Sequence, residues 1–263
     1  MTEPTAEPIN DVPGRGEESP IVPRYARIPL SEYGAAYRMQ ILDSLDLSPG
    51  LDVVDVGFGP RTEVHDIAAA VGREKVHEID LEDVLAAGSA GDGSSFDVSG
   101  LWASYRLPVA DHSVDRIQAD RVVQHIDDSL YFFDELRRVL RPGGLACVTE
   151  PDWESLIIDP IDAAANQAFN RFVSTSVVHN ATFGRQLARL AQHAGFGVRA
   201  VLTVAPVLRD FKVADDILGL THIMERAVRT GRMRRAVADS WLAAMDAGPF
   251  LASGIIFTAV IEA

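Results

Sequence analysis

Gly57 and Gly59 form the first point in the sequence where residue types and spacing indicate chemistry. The apolar, β-branched run at residues 52–56 is typical of a strand buried on both faces of a parallel sheet. Residues 62–71, after the glycines, carry apolar side chains at helical spacing. Glycine lets the backbone turn sharply and lie close to a ligand. A strand, a glycine turn and a helix in this order predict a nucleotide-like ligand at the carboxyl end of the first strand.

Asp80 is the second candidate, because it follows the first glycine at roughly the 20-residue offset of a ribose-binding acid. It ends residues 75–80, which we interpret as a second strand. A carboxylate in this place accepts hydrogen bonds from a ribose diol. The alternative is that Asp80 only caps a helix at residues 81–85.

Net charge and composition limit the classes of partner. The 263 residues carry a formal net charge of -14, with 47% hydrophobic and 24% charged residues, as in globular domains. Nucleic-acid binding is driven by clustered Lys and Arg, so the charge favours a small-molecule substrate over DNA or RNA. Cys147, the single cysteine, is interpreted as an apolar filler of a buried strand. No membrane-length apolar run, secretory signal or metal-binding motif is assigned, and we predict a cytoplasmic protein.

The chain is predicted to form one α/β domain preceded by a flexible tail. Residues 1–20 are rich in Pro, Glu and Gly and bury too little apolar surface to offset their ordering entropy. Residues 21–263 form the domain, with a helical cover at 21–50 and inserted helices at 208–250 that we expect to form a substrate lid. A weak strand is predicted near 86–100 and clearer strands at 111–119, 145–150, 198–207 and 254–261. Further helices are predicted at 129–140 and 159–194.

Five segments, in their order and spacing, resemble the class I S-adenosylmethionine-dependent methyltransferases, in the small-molecule group related to the ubiquinone and menaquinone methyltransferases. The segments are VVDVGFG, HEIDLED, LPVADHSVDRIQADRVVQHIDD, ELRRVLRPGG and TEPDWESL. The resemblance covers about residues 52–197 and implies a Rossmann-like, seven-stranded sheet, mostly parallel, with an antiparallel last strand. It also implies S-adenosylmethionine as the cofactor. Asp55, Gly57 and Gly59 would then line its methionine side, Asp80 its ribose, and residues 122–125 the floor of the reaction site.

The sequence departs from the family pattern at two positions. Arg61, preceded by Pro60, stands where the glycine turn normally has a third small residue, and it brings a bulky cation to a place of close backbone approach. Ala103 stands where the family usually has an aspartate that binds the adenine amine. Loss of one charge-assisted hydrogen bond costs roughly 1.5–3 kcal/mol, or about tenfold to a hundredfold in affinity. Asp97 could substitute for that aspartate if the loop is reshaped.

Under the first functional hypothesis the protein methylates a small molecule in secondary metabolism. The enzyme must then align the acceptor with the methyl carbon and remove a proton. His125 is the first candidate base, because the ordinary pKa of histidine suits proton transfer near neutrality. Asp152 and Glu150 are candidates to orient His125 or to take the proton themselves. The alternative for His125 is a structural role at a helix start.

Four residues are candidates for the substrate pocket. Tyr33 and Tyr37 belong to the helical cover, whose alternative role is to pack against the sheet. Trp153 is interpreted as a pocket wall. His179 either lines the same pocket or caps a helix.

Under the second hypothesis the fold is retained but methyl transfer is lost. The same pocket would catalyse a cyclisation, dehydration or isomerisation of a natural product, without S-adenosylmethionine, with His125 and Asp152 as acid and base. Fold alone does not distinguish the two hypotheses. A third reading is a non-catalytic partner of a true methyltransferase. A homodimer is compatible with the sequence.

Overall fold

The computed structural model describes residues 35–57, 63–80, 106–126, 128–159 and 162–263. The predicted tail at residues 1–20 and the weak strand near 86–100 lie outside these ranges. Four candidate site residues also lie outside them, namely Tyr33, Gly59, Arg61 and Ala103.

Eight α-helices and seven strands occur in the described ranges. The helices are α1 (Ala35–Ser44), α2 (Glu63–Val71), α3 (Ser129–Val139), α4 (Ala163–Phe172), α5 (Leu187–His193), α6 (Phe211–Leu218), α7 (Leu220–Arg229) and α8 (Arg235–Ala247). The strands are β1 (Val53–Gly57), β2 (Val76–Asp80), β3 (Val114–Asp120), β4 (Leu140–Ile158), β5 (Gly197–Val204), β6 (Val207–Leu208) and β7 (Ala252–Glu262). Short 3-10 turns span Val123–His125 and Gly184–Gln186.

The seven strands form one sheet in the order β2-β1-β3-β4-β7-β5, with β6 paired to β7. Strands β1 to β4 run parallel to one another. Strand β7 is antiparallel to β4, β5 and β6. The predicted fold class, a mostly parallel sheet with an antiparallel last strand, is confirmed.

Helices cover both faces of this sheet. Val54 and Val56 of β1 pack in one cluster with α3 and α5, whereas Val53 packs with α1 and α2 on the opposite face. All five residues of β1 are buried, as predicted for a strand covered on both sides. Cys147 lies in the cluster with α1 and α2, where burial raises the pKa of its thiol to about 12.

Strand β4 is much longer than the predicted six residues at 145–150. It extends over the 19 residues of Leu140–Ile158 and pairs with β7 near both of its ends. The pairing shifts in register between Asp152 and Ile157. The prediction ended the strand too early because Pro151 and Asp152 are residue types that sheets disfavour.

The end of β4 reaches a second hydrophobic core, formed with helices α4, α6, α7 and α8 and here called the cap. The predicted helical regions are divided in the structure: residues 159–194 contain α4 and α5, and residues 208–250 contain α6 to α8. Gly219, in the left-handed conformation with φ 67°, separates α6 from α7. The strand predicted at 198–207 is likewise divided into β5 and β6. Within the described ranges, no helix is long and apolar enough to cross a membrane.

Trp241 lies at the centre of the cap. Its ring stacks on Phe169, with the ring centroids 5.1 Å apart, and its Nε1 donates a hydrogen bond to Oδ1 of Asn166 at 2.6 Å. Both aromatic side chains are fully buried or nearly so. The contact joins α8 to α4, so the cap depends on it for its helix packing.

Two replacements of Trp241 are expected to destabilise the protein to different degrees. Trp241→Phe retains the ring contact but removes the N–H that donates to Oδ1 of Asn166. Leaving this buried oxygen without a hydrogen bond lowers the free energy of unfolding by about 1–3 kcal/mol. Trp241→Ala also creates a cavity, and costs about 3–5 kcal/mol. Urea denaturation measures both values. The control is Met39→Ala, at a 60% exposed side chain of α1. A Trp241→Ala variant as stable as this control would contradict the described packing.

Candidate functional site

Gly57 and Asp80 lie side by side at the carboxyl ends of β1 and β2, where their Cα atoms are register partners. Asp55 is fully buried on β1, between Glu78 of β2 and Gln118 of β3. Because β3 and β4 run parallel to β1, their carboxyl ends reach the same edge of the sheet. The predicted methionine-side and ribose residues within the described ranges are therefore neighbours.

Tyr37 attaches helix α1 to this edge. Its hydroxyl donates a hydrogen bond to Oδ1 of Asp120, the last residue of β3. The other oxygen of Asp120 accepts hydrogen bonds from Nε and Nη2 of Arg121, at 3.1 and 2.8 Å. Arg121 has a φ of 53°, which is uncommon for a residue other than glycine, and its N–H donates to the carbonyl of Thr149 at 2.8 Å. The end of β3 is thus fixed through both side chains and backbone.

Glu150 is a fully buried carboxyl group on β4. Its Oε1 accepts a hydrogen bond from the N–H of Val123, the first residue of the 3-10 turn after β3. Its Oε2 is buried and has no hydrogen-bond partner among the described residues. Burial raises the pKa of Glu150 to about 8; the hydrogen bond from Val123 opposes this rise, and the nearby charge of Asp120 adds to it. The carboxyl group is therefore mostly protonated at neutral pH.

His125 ends the same 3-10 turn. Part of its surface reaches solvent, but the surrounding protein desolvates the ring. This desolvation, together with the positive charges of Arg121 and His179, lowers the pKa of His125 to about 4. The imidazole is therefore neutral at physiological pH. The neighbouring Asn180 donates a hydrogen bond to the carbonyl of Ile126 at 2.8 Å, which joins the turn carrying His179 to this segment.

Asp152 and Trp153 are buried side chains of β4, and each is bound by a residue distant in the sequence. Arg185 donates to both oxygens of Asp152, with 2.6 Å between Nη2 and Oδ1. The indole Nε1 of Trp153 donates to Oε1 of Gln124 at 2.8 Å. Gln124 lies between Val123 and His125, so one short turn contacts both Glu150 and Trp153.

A partly open cavity of about 670 Å³, a volume that includes the space at its mouth, lies between these strand ends and the cap. Strands β4 and β7, helix α6 and the segment around β6 supply most of its walls. The lining is largely apolar and includes Arg121, Gln124, Asp152, Trp153, Ile217 and Ile255.

The predicted site residues fall into two groups. His125, Glu150 and Trp153 meet around the Val123–His125 turn, and Trp153 and Asp152 line the cavity. His125 and Glu150 lie beside the cavity lining but are not part of it. Tyr37 is buried against Asp120, and His179 is exposed, so these two do not line the cavity in the described structure either. Because Arg185 binds both oxygens of Asp152, the role of Asp152 in proton transfer stays a prediction.

Three side chains of the site were not singled out from the sequence, namely Asp120, Arg121 and Arg185, whereas Gln124 lies within residues 122–125, the predicted floor of the reaction site. A signal existed for Asp120 and Arg121, which follow a predicted strand at the edge where such sheets bind ligands. No signal in the sequence indicated the partners of Gln124 and Arg185. Gln124 binds Trp153 across 29 residues, and Arg185 binds Asp152 across 33.

Comparison with known proteins identifies the family. The family model for a methyltransferase domain matches residues 54–148. An uncharacterised 37.1 kDa protein of transposon Tn4556 from Streptomyces fradiae is 39% identical over 231 residues, which cover 87% of this chain and 67% of that protein. The chain belongs to the class I S-adenosylmethionine-dependent methyltransferase family, and the predicted family and enzyme class are confirmed.

Two further comparisons give the extent of the likeness. Methyltransferase GfsG from Streptomyces halstedii is 28% identical over 210 residues, which cover 77% of this chain and 66% of that protein. The chain thus spans about two thirds of the length of these two relatives. A crystal structure from Bacillus halodurans, provisionally described as a methyltransferase, has a TM-score of 0.53 at 14% identity, over 86% of this chain and 97% of that one. This structural likeness establishes the fold alone.

Glu150→Gln is expected to weaken the pH dependence of stability. The folded-state pKa of about 8 lies above the ordinary value of 4.5, so burial stabilises the protonated form. The resulting stability is fully present below pH 4.5 and is lost as the pH rises through 8, by up to a few kcal/mol. Glutamine can still accept the hydrogen bond from Val123, but its amide group does not titrate in this pH range.

Urea denaturation between about pH 5 and pH 9 measures this effect, since it spans the interval in which the folded and unfolded states bind different numbers of protons. The control is Glu154→Gln, which changes an exposed carboxylate on the same strand. Stability that declines with pH equally in the wild type and in Glu150→Gln would show that Glu150 is not the titrating group.

Proposed function

We propose that the protein transfers a methyl group from S-adenosylmethionine to a small molecule bound in the cavity. The proposal is carried by the position of this cavity. It borders the ends of β3 and β4, on the same sheet edge where Gly57 and Asp80 lie side by side. Ligands of open α/β sheets bind at the carboxyl ends of the strands. A cofactor on β1 and β2 and an acceptor in the cavity would therefore be adjacent.

The described residues of β1 and β2 fit the cofactor. Gly57 allows close approach of the backbone, and the neighbouring Asp80 offers a carboxylate for a ribose diol. S-adenosylmethionine supplies, when bound, a methyl group on a positively charged sulfur. The parts played by Gly59, Arg61 and Ala103, which lie outside the described ranges, stay predictions, as does a place in secondary metabolism.

His125 and Glu150 have different parts in this proposal. A neutral His125 accepts a proton from the acceptor at physiological pH, although a pKa of about 4 makes it a weak base. Such a base is effective only when the acceptor becomes acidic as its bond to the methyl carbon forms. Glu150 is mostly protonated and binds the backbone of Val123, so its part is to position the turn that carries His125.

The alternative is a cyclisation, dehydration or isomerisation without the cofactor. It is favoured by one observation: at neutral pH the carboxyl group of Glu150 on β4 is mostly protonated, and it binds the turn that carries the neutral imidazole of His125. Such a pair can supply an acid and a base without a methyl donor. The departures at Arg61 and Ala103 are in keeping with this alternative. Binding of S-adenosylmethionine distinguishes it from methyl transfer.

Isothermal calorimetry of the purified, cofactor-stripped protein is expected to show micromolar binding of S-adenosylmethionine and S-adenosylhomocysteine, near -8 kcal/mol. Asp80→Asn should weaken binding by about tenfold or more, because a charged acceptor of the ribose diol is lost. Glu78→Gln is the matched control: this exposed carboxylate lies on the same strand and pairs with Arg73. Absence of binding by the wild type would contradict methyl transfer and favour the cofactor-free reaction.

The double change Arg61→Gly and Ala103→Asp is expected to raise the affinity for S-adenosylmethionine by about tenfold to a hundredfold, because it restores the small residue and the adenine-binding carboxylate of the family. Calorimetry of the two single variants separates the contributions. An affinity that the double change leaves unmoved would mean that neither departure weakens the cofactor site.

A further inference from the structure

The cavity beside Trp153 is lined by few charged or amide side chains, and each of these binds another protein group. Arg121 donates two hydrogen bonds to Asp120. Asp152 forms a two-point ion pair with Arg185, and the amide oxygen of Gln124 accepts the indole N–H of Trp153. The charges at the cavity wall are therefore paired with charges of the protein itself.

The rest of the described lining is apolar apart from the uncharged Ser253 and the backbone of Gly254. Ile217 and Leu218 come from α6, Leu156 from β4 and Leu208 from β6. Ile217, Leu156 and Leu208 also belong to the cap core, so the cavity opens from a packed hydrophobic cluster. An apolar ligand gains from leaving water here, whereas a charged ligand would lose its hydration without a free counter-charge in the wall.

Ile255 is an apolar, partly exposed residue at the mouth of the cavity. It lines the cavity and is 37% exposed. The nearby Ile157 is 59% exposed and lies outside the lining. In the register, Ile157 pairs with Ser253, two residues from Ile255 on β7. The two isoleucines are therefore partly exposed residues close together on β4 and β7, but only Ile255 lines the cavity.

We infer that the cavity binds an uncharged, hydrocarbon-rich small molecule and selects against anionic ligands, because its wall is apolar and its charged groups are already paired. The inference rests on the proposed function only in identifying this ligand as the methyl acceptor. The acceptor would place its hydrocarbon part between α6 and Trp153 and its reacting group towards the Val123–His125 turn.

The test uses two fluorescent probes that differ by one charge, on the cofactor-free full chain. N-phenyl-1-naphthylamine is uncharged, and 8-anilino-1-naphthalenesulfonate has the same ring system with a sulfonate. The uncharged probe is expected to bind at one saturable site, with an affinity at least about tenfold higher than that of the sulfonate, because the wall offers no free cation. Ile255→Glu should weaken binding of the uncharged probe by about fivefold or more, since it places a charge at the mouth.

Ile157→Glu is the matched control and should change the affinity by less than about twofold, because this exposed side chain lies outside the cavity lining and surface changes are usually neutral. Tighter binding of the sulfonate would overturn the inference and indicate that Arg121 serves as an anion site. Failure of the uncharged probe to saturate, or equal losses in the two glutamate variants, would also overturn it. Calorimetry of the same samples with S-adenosylmethionine is independent of the probes, so failure of the proposed methyl transfer is distinguishable from failure of this inference.

Discussion

The pairing of β4 with β7 is the constraint on which the cap and the cavity depend. Buried backbone groups need hydrogen-bond partners, so the extension of β4 beyond Glu150 requires β7 to extend with it. The helices α6 to α8 leave the sheet after β6 and must return to it at the start of β7. The register shift between Asp152 and Ile157 interrupts this ladder. The cavity lies at this interruption, between the sheet and the cap, where the two strands do not pair regularly.

The ionisable groups around the site are either paired with opposite charges of the protein or mostly neutral. Asp152 is paired with Arg185, Asp120 with Arg121, and Glu150 and His125 are mostly neutral at physiological pH. This arrangement agrees with the proposed reaction, which brings a sulfonium cation to the carboxyl edge of the sheet. A protonated imidazole at His125 would repel that cation. The desolvation that weakens His125 as a base thus also removes a charge that would oppose binding of the methyl donor.

Local periodicity was sufficient to predict the elements that hold the glycine turn. The strand predicted at 52–56 is Val53–Gly57, the helix predicted at 62–71 is Glu63–Val71, and the strand predicted at 75–80 is Val76–Asp80. These elements are set by a hydrophobic pattern that can be read within ten residues. The length of β4 was not predictable in this way, because its extension is stabilised by β7, about 100 residues later, against the local preferences of Pro151 and Asp152.

The candidate site was predictable to the level of single residues but not of their partners. Glu150, His125 and Trp153 were identified by their place at or after the ends of predicted strands, a signal that does not include their environment. The pKa shifts of Glu150 and His125 and the hydrogen bond of Trp153 come from contacts between residues that are distant in the sequence. Burial makes Glu150 a weak acid and His125 a weak base, and the indole of Trp153 binds Gln124. Burial and long-range hydrogen bonds are properties of the packed structure, so one sequence did not reveal them.

Arg121, whose backbone is left-handed, connects Tyr37 to the cavity wall although Tyr37 does not line the cavity. A non-glycine residue in this conformation costs on the order of 1–3 kcal/mol and persists only where the surroundings determine it. Here the carbonyl of Thr149 binds its N–H, and Asp120, which also binds Tyr37, holds its guanidinium. Arg121 lies between the end of β3 and the turn that carries His125. Helix α1 is therefore linked through Asp120 and Arg121 to the Val123–His125 turn and to the cavity wall, to which Arg121 belongs.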